Sequence, residues 1–427
     1  MKRPCLIALA VTLLAAPVAA QPAMPVIAIP PLSTPDDQPT SAGSTLSLAW
    51  QATQLIASDL RTAADVMALP ANQKDFYSYP EVTAPTFSRW RAKGAKAVLT
   101  GFVRARPDGR LTVGCYVYDV EKGRELGRTG FVVAADDWRR AAHKCSGLAY
   151  QSLTGAPGIF DTRIAYVAKS GTAAAQVSRI AVMDSDGLNH SYATQGDALV
   201  MTPQLSSNAA RLAYVSFAGG RPQVHVVDLA SGRDTIPFPT AGMSFSPSFS
   251  ADNALLLSAS NAGNTDIYLV KPDGGSQRLT VSPGNDVSAS VSPDGSQIVF
   301  ESDRSGSQQL YVMNSDGSNQ RRISFGGGWY AAPEWSPDGK QIAFVRRGSD
   351  GLRIGVMNPD GSDPRVVTSG PRDESPSWAA SSRELVFQRV EGLGRSSLYR
   401  VGTNGGQPSK IAIPQDGGDP DWSGALD

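Results

Sequence analysis

Apolar residues recur at intervals of 42 to 44 positions through the C-terminal part of the chain. The repeated positions are Leu205, Phe249, Val291, Trp335, Trp378 and Trp422. Each opens a short apolar run, and a second run begins six or seven residues later, usually after a turn resembling Ser-Pro-Asp-Gly. The runs are too short for helices and are rich in β-branched and aromatic residues. The repeat therefore predicts the blades of a β-propeller.

A third column of apolar residues indicates how many blades there are. Its members are Ile180, Val224, Ile267, Leu310, Ile354 and Leu398. Each is followed by a tight turn that contains glycine, most often as Asp-Gly, which suits a hairpin between two strands. Six members predict six blades, and these glycines are interpreted as structural.

The two ends of the repeat region are out of phase with each other. Ile164 begins the second run of the first blade, but residues 155–158 read Gly-Ala-Pro-Gly where its opening strand should stand. At the other end, Trp422 lies in a strand with no later run to pair with. We therefore predict that the C-terminal strand completes blade one and closes the ring, which protects both strand edges.

The residues before the repeats predict a separate α/β domain over 21–155, followed by the propeller over 159–427. The predicted elements of the α/β domain are a strand over 24–28, a helix over 46–61, and strands over 97–104, 111–120 and 125–133. A last helix starts behind Asp136 or Asp137 and ends near Gly155.

Residues 1–20 have the pattern of a secretory signal peptide. Lys2 and Arg3 precede an apolar stretch, and small residues end it at Ala20. No other segment approaches the length of a membrane span. Without this leader the net charge is near −2, which gives no electrostatic footprint for nucleic acid, so we expect an exported monomer that binds through shaped surface.

Two cysteines remain after the leader. Cys115 alternates with Val113 and Val117 on the apolar face of a strand, and Cys145 shares a helical stripe with Trp138. Both thiols are expected to face the same small core. A disulfide and two buried free thiols both fit this pattern.

The sequence offers no constellation typical of catalysis or metal binding. It has three histidines, and none has a partner histidine at ligand spacing. His143 falls among basic residues and is expected on a solvated helix face. Nucleophile elbows and phosphate-binding loops are absent, and acidic turns such as 358–363 lack the spacing of a calcium loop. We predict no enzyme activity, no metal and no cofactor.

The stretch 139–167, RRAAHKCSGLAYQSLTGAPGIFDTRIAYV, resembles the domain junction of the TolB family. The blade motifs at 292–295, 310–313 and 336–339 also resemble that family's repeat, although other propellers share them. The resemblance covers essentially the whole chain. It implies a non-enzymatic periplasmic scaffold of the Tol-Pal system that binds the lipoprotein Pal, communicates with TolA, and supports outer-membrane integrity and constriction at cell division.

The resemblance also implies that Pal docks at the propeller mouth where each blade's first strand begins. The residues of those loops are Met243, Phe245, Asp286, Trp329, Tyr330, Arg372, Asp373 and Glu374. Trp329 and Tyr330 follow three glycines, so they fit either a binding anchor or packing between blades. The family's flexible N-terminal arm is short here, because only residues 21–23 separate the predicted cleavage site from the first strand.

A secreted propeller enzyme acting on oligosaccharides is the main alternative. Such an enzyme needs clustered His, Lys or Arg at one mouth, and the scattered histidines argue against it. A peptidase propeller is a weaker alternative, because no room remains for a hydrolase domain.

Overall fold

The protein consists of an α/β domain followed by a six-bladed β-propeller, as predicted. The computed structural model describes residues 24–426, apart from 64, 173–174, 262 and 393. The predicted signal peptide over 1–20 lies outside the described residues. Within the described part, none of the helices has the length and apolarity needed to span a membrane.

The N-terminal domain is built on one five-stranded sheet. Its elements are β1 (Val26–Ala28), β2 (Pro39–Thr40), β3 (Gly43–Ser44), α1 (Thr45–Thr62), β4 (Met67–Ala68), α2 (Phe87–Arg91), β5 (Ala97–Ala105), β6 (Arg110–Asp119), β7 (Arg124–Ala134) and α3 (Trp138–Thr154). The sheet order is β4-β1-β5-β6-β7; β1 runs parallel to β4 and β5, and the other pairs are antiparallel.

Helices α1 and α3 cover one face of this sheet. The Ser44 hydroxyl caps α1 by accepting the N–H of Ser47 at 3.3 Å. Gly155, at φ 74°, ends α3 and donates its N–H to Gln151. Between the helices and the sheet lies a core that includes the apolar stripe of α1.

The two cysteines of the domain meet in this core. Cys115 on β6 and Cys145 on α3 are both fully buried, and the structure joins their sulfur atoms in a disulfide. The bond fixes α3 to the sheet across 30 residues of sequence.

Six four-stranded sheets form the propeller. Its strands are β8 (Arg163–Thr172), β9 (Ala175–Asp184), β10 (Ser191–Tyr192), β11 (Val200–Leu205), β12 (Arg211–Ser216), β13 (Gln223–Asp228), β14 (Asp234–Thr235), β15 (Met243–Phe249), β16 (Leu255–Asn261), β17 (Asn264–Val270), β18 (Ser276–Arg278), β19 (Asp286–Val291), β20 (Gln297–Ser302), β21 (Gln309–Asn314), β22 (Arg321–Arg322), β23 (Trp329–Trp335), β24 (Ile342–Gly348), β25 (Gly351–Met357), β26 (Arg365–Val366), β27 (Asp373–Trp378), β28 (Glu384–Val390), β29 (Ser396–Gly402), β30 (Ser409–Lys410) and β31 (Asp416–Trp422).

The ring closes through its last strand, as the phase of the repeat predicts. β31 pairs antiparallel with β8 and forms the inner strand of blade one. Trp422 lies opposite Ile164, and its indole Nε1–H donates to the Thr162 hydroxyl at 2.8 Å. Blades two to six each run in chain order from the inner strand outward.

The two domains share an interface at blades one and six. Their apolar residues belong to one buried cluster, which includes Ile56 and Tyr150 of the first domain and Trp422 of the second. Arg383, in the turn after β27, donates to the Asp65 carboxylate at 2.8 Å and to the Thr154 carbonyl oxygen at 3.0 Å. The domains are therefore packed together through apolar and polar contacts.

The expectation for His143 is wrong. This side chain is buried, not solvated, with its Nδ1 2.8 Å from Asp59 and its Nε2 3.5 Å from Asp186 of blade one. Arg139, one helical turn earlier, also pairs with Asp186. The basic stretch of α3 faces acidic groups of the neighbouring domain, which the pattern on α3 alone does not reveal.

Candidate partner-binding site at the propeller mouth

The six inner strands define a central channel with two mouths. We call the end where these strands begin the front mouth and the end where they finish the back mouth. The domain contacts of Asp186 and Arg383 lie in turns on the back side. The front mouth lies on the opposite side, where the loops entering each inner strand lead to the channel.

The channel wall is a ring of β-bulges, one in each inner strand. The bulged residues have positive φ between 45° and 53°, and they are Thr202, Ser246, Ser288, Ala332, Ser375 and Asp419. Proline follows in five of the six blades, where its missing N–H fits the interrupted ladder. Each non-glycine residue held at positive φ costs on the order of 1 kcal/mol. The bulges narrow the channel to a cavity of about 130 Å³.

Side chains beside the bulges connect successive blades. In four blades, a side chain of the inner strand accepts a hydrogen bond from a backbone N–H in the next blade. That N–H belongs to the apolar residue that recurs every 42 to 44 positions. The pairs are Ser290 with Trp335, Glu334 with Trp378, Ser377 with Trp422, and Asp421 with Leu205, at 2.6 to 3.2 Å. The apolar column and its polar neighbours thus hold the ring in register.

Two carboxyls of this ring lie in unusual surroundings. Burial raises the pKa of Glu334 to about 8, and the neighbouring Asp421 adds to that shift. Burial likewise raises the pKa of Asp421 to about 7. The Ser377 hydroxyl lies 3.2 Å from Glu334 and 3.3 Å from Asp421. Both groups already bind backbone or hydroxyl groups of the ring, so the geometry assigns them to blade packing.

The predicted site residues Asp286 and Asp373 cannot contact a partner directly, because both are fully buried. Asp373 accepts two hydrogen bonds from Arg389, at 2.7 and 2.9 Å, and Asp286 accepts one from Arg304 at 2.6 Å. Each arginine also stacks on aromatic rings, for example Arg389 at 4.8 Å from the centre of Tyr399. The aspartates therefore orient arginines at the front of blades four and six.

Tyr330 is also buried, so of the two roles that the sequence leaves open, binding anchor or packing, the structure supports packing. Its hydroxyl donates to the Phe325 carbonyl oxygen at 3.2 Å, and its ring packs on Phe344. Trp329 is half-buried against a cluster that joins blades five and six. The structure thus gives Trp329 a packing role, while its exposed part still faces the front mouth.

The other four predicted residues lie on the front side with some exposure. Met243 is 42% exposed, whereas Phe245 is half-buried against a cluster that joins blades two and three. Arg372 is exposed and donates to Glu374 at 2.9 Å. These side chains spread over blades three and six and do not form one compact cluster.

Sequence reasoning missed the most exposed apolar residues of this side. Val281 is 78% exposed, Phe325 65% and Leu199 51%, and each lies in a connection that enters an inner strand. We call these three residues together with Met243 the apolar rim. Val281 comes directly after Leu279-Thr280, and Phe325 comes directly after the similar pair Ile323-Ser324. A fourth repeated column, aligned on Leu279 and Ile323, would therefore have located both exposed residues.

The chemistry available at the front mouth is that of a binding surface. Across the described residues, no three His, Cys, Asp or Glu side chains come together in a way that could hold a metal ion. Exposed apolar side chains surrounded by polar ones are typical of protein interfaces. The arrangement therefore suits recognition of a macromolecular partner.

Both parts of the chain match known family models. Residues 150–426 match the TolB beta propeller domain, and residues 19–126 match the TolB amino-terminal domain. The chain is 46% identical over 208 residues to Tol-Pal system protein TolB of Zymomonas mobilis, covering 48% of this chain and 45% of that protein. It is also 46% identical over 207 residues to Tol-Pal system protein TolB 1 of Novosphingobium aromaticivorans, covering 48% and 46%. These matches span about half the length of the curated relatives.

The structure is similar to the crystal structure of TolB from Acinetobacter baumannii, with a TM-score of 0.78 and 28% sequence identity. That similarity covers 95% of this chain and 97% of the other. The family model for the TolB propeller domain also matches more than half of the chain, and these two findings together establish its family. The chain belongs to the TolB family.

Proposed function

We propose that the protein is a non-enzymatic scaffold of the Tol-Pal system in the periplasm. Its relatives carry the name Tol-Pal system protein TolB, which supports this assignment. The predicted leader over residues 1–20 fits export, and a disulfide such as Cys115–Cys145 fits an oxidising compartment. In this role the protein binds the lipoprotein Pal and communicates with TolA, and it contributes to outer-membrane integrity and constriction at division.

The front mouth is the proposed docking site for Pal. The observation that carries this proposal is the apolar rim, because Phe325 and Val281 expose large apolar surface on a side opposite the domain interface. Arg304 and Arg389, each paired with a buried aspartate, hold guanidinium N–H donors in fixed positions on the same side of the propeller. A few central apolar anchors with a polar surround usually dominate the affinity of such interfaces.

Replacement of rim residues tests this proposal. We expect Val281→Ser and Phe325→Ser each to weaken binding of purified Pal by about tenfold or more, since exposed anchors lose most of their contact area. The measurement is titration calorimetry or surface plasmon resonance, with the melting temperature recorded for each variant. Leu46→Ser in the N-terminal domain is the matched control, because Leu46 is 50% exposed and lies on α1.

Unchanged Pal affinity in both rim variants would place the docking surface elsewhere. An equal loss in Leu46→Ser would show that general surface hydrophobicity, and not the front mouth, governs binding. A lower melting temperature with affinity retained would assign the rim residues to packing.

A further inference from the structure

Strand β7 is an unusual edge strand for this protein. It spans Arg124–Ala134, 11 residues, and it ends the N-terminal sheet. The opposite edge strand, β4, has two residues, and the outer strands of all six blades have two or three among the described residues. Short edge strands limit unwanted pairing with other chains. β7 does not have this protection.

The second half of β7 also lacks the other usual protections. Residues 129–134 read Thr-Gly-Phe-Val-Val-Ala and contain neither charge nor proline. Their register with β6 is regular, since the irregularity in this pair lies at Val117 and Tyr118. Only β6 pairs with β7 among the described strands. A long, regular and uncharged edge offers main-chain donors and acceptors to an added strand.

The side chains of β7 give this edge a chemical pattern. Arg128, Gly130 and Val132 lie on the face away from α1 and α3, opposite Tyr116, Gly114 and Thr112 of β6. Val132 is 45% exposed. Above Gly130 there is open space, because a β-carbon placed there would meet no atom closer than 3.9 Å. A large side chain on a neighbouring strand could occupy this space, as aromatic residues do beside edge glycines.

The helix-facing side of β7 is already covered. Phe131 and Val133 are half-buried against α3, and Lys144 of that helix lies 5.6 Å from the centre of the Phe131 ring. Selectivity for an added strand therefore comes from the outer face. There an acidic side chain fits opposite Arg128, whose present partner is the nearby Glu125 at 3.2 Å.

We propose that the outer edge of β7 is a second protein-binding site, separate from the front mouth. It takes an extended segment of another protein, which adds antiparallel to β7 as a sixth strand of the sheet. The residues of that segment opposite Val132, Gly130 and Arg128 are apolar, aromatic and acidic, in that order and at alternate positions. A second copy of this chain fits less well, because self-pairing centred on Gly130 places Val132 opposite Arg128.

The test uses the mature full chain and a capped, fluorescein-labelled peptide, Thr-Val-Thr-Tyr-Thr-Glu-Thr. Fluorescence anisotropy should show saturable binding, and amide hydrogen exchange should slow in β7. The scrambled peptide Thr-Glu-Thr-Thr-Val-Tyr-Thr should bind more weakly. We expect Arg128→Glu to weaken peptide binding about three- to tenfold, because an exposed ion pair is lost and its charge reversed. A peptide with Lys in place of Glu should restore binding to this variant.

A charge on the edge provides the second variant. Val132→Lys should weaken peptide binding by a similar factor or more, whereas Val366→Lys should not, since Val366 is 44% exposed but lies on the two-residue strand β26. The proposal is wrong if exchange in β7 is unchanged at millimolar peptide. It is equally wrong if both variants bind normally, or if light scattering shows a dimer that Val132→Lys dissociates, because a second copy then occupies the edge.

Discussion

At the residue scale, the surroundings of a charged side chain decide its role more than its position in a loop. Asp286 and Asp373 lie at the front mouth but are buried against arginines that follow 18 and 16 residues later. A single sequence gives no sign of that pairing, because Arg389 comes from the neighbouring strand and Arg304 from the turn behind the neighbouring strand. Residue spacing could predict where the front-mouth loops are, but not which of their side chains remain exposed.

The buried carboxyl of Glu334 gives a prediction for pH dependence. Its pKa in the folded protein is raised from 4.5 to about 8, because burial disfavours the charged form. The folded state then holds this proton more tightly than the unfolded state. Its contribution to stability is complete below about pH 4.5 and is lost as the pH rises through 8.

We expect Glu334→Gln to remove this dependence. The amide stays neutral and retains an oxygen for the N–H of Trp378, which donates to Glu334 in the wild type. At pH 9 the variant should be more stable than the wild type by several kcal/mol, since a pKa difference of one corresponds to about 1.4 kcal/mol, with little difference at pH 5. Calorimetry from pH 5 to 9 checks this, with the 58%-exposed Glu121 changed to Gln as control. Parallel curves for wild type and Glu334→Gln would contradict the prediction.

At the element scale, the sequence predicts the inner three strands of each blade and misses the outermost one. The inner strands bury a regular set of apolar residues, so their apolar pattern recurs in each blade although the loops differ from blade to blade. The outer strands have two or three mostly exposed residues, such as Asp234–Thr235, and carry no apolar alternation. The short helix α2 is missed for a similar reason, since only Trp90 of its five residues is buried.

Strand β31 provides the prediction at this scale. Removal of the last eight residues deletes the last three residues of β31, including Trp422, and leaves Ile164 and Ala165 of β8 without their partners on the inner strand. Because each blade is stabilised by its neighbours, loss of closure should lower the stability of the whole propeller and not only of blade one. Calorimetry should show a broad, lowered propeller transition.

A tryptophan replacement inside the ring is the control for this truncation. Trp335 holds the equivalent position in blade five and is 6% exposed, as is Trp422. Trp335→Ala should destabilise by about 3–5 kcal/mol, the cost of a large cavity, but keep one sharp transition. A truncated chain that unfolds as sharply as the wild type would show that closure by β31 is not needed for cooperativity.

At the scale of the whole molecule, the domain interface depends on acidic groups of blade one and basic groups of α3. Burial alone would lower the pKa of His143, but its contacts with Asp186 and Asp59 raise it to about 10. The imidazolium is therefore held between a carboxylate of its own domain and one of the propeller. Ser146 also donates to Asp59 at 2.6 Å, which fixes that carboxylate on the α1 side.

Because the pKa of His143 is raised in the folded protein, its stabilising effect is complete below about pH 6.5 and is lost as the pH rises through 10. We expect Asp186→Asn to loosen the interface by about 1–3 kcal/mol at pH 7, since it leaves His143 and Arg139 facing a neutral amide. The difference from the wild type should shrink towards pH 10, where Arg139 is the only one of these two partners of Asp186 that remains charged.

Small-angle scattering and limited proteolysis near residues 155–162 measure the opening of the domain interface. Asp316→Asn is the matched control, because Asp316 occupies the equivalent Asp-Gly turn in blade four. Its carboxylate accepts a hydrogen bond from the Ser318 N–H of its own blade instead. If both variants give the same scattering profile and cleavage rate as the wild type, the apolar contacts hold the domains together and the ionic contacts with Asp186 do not.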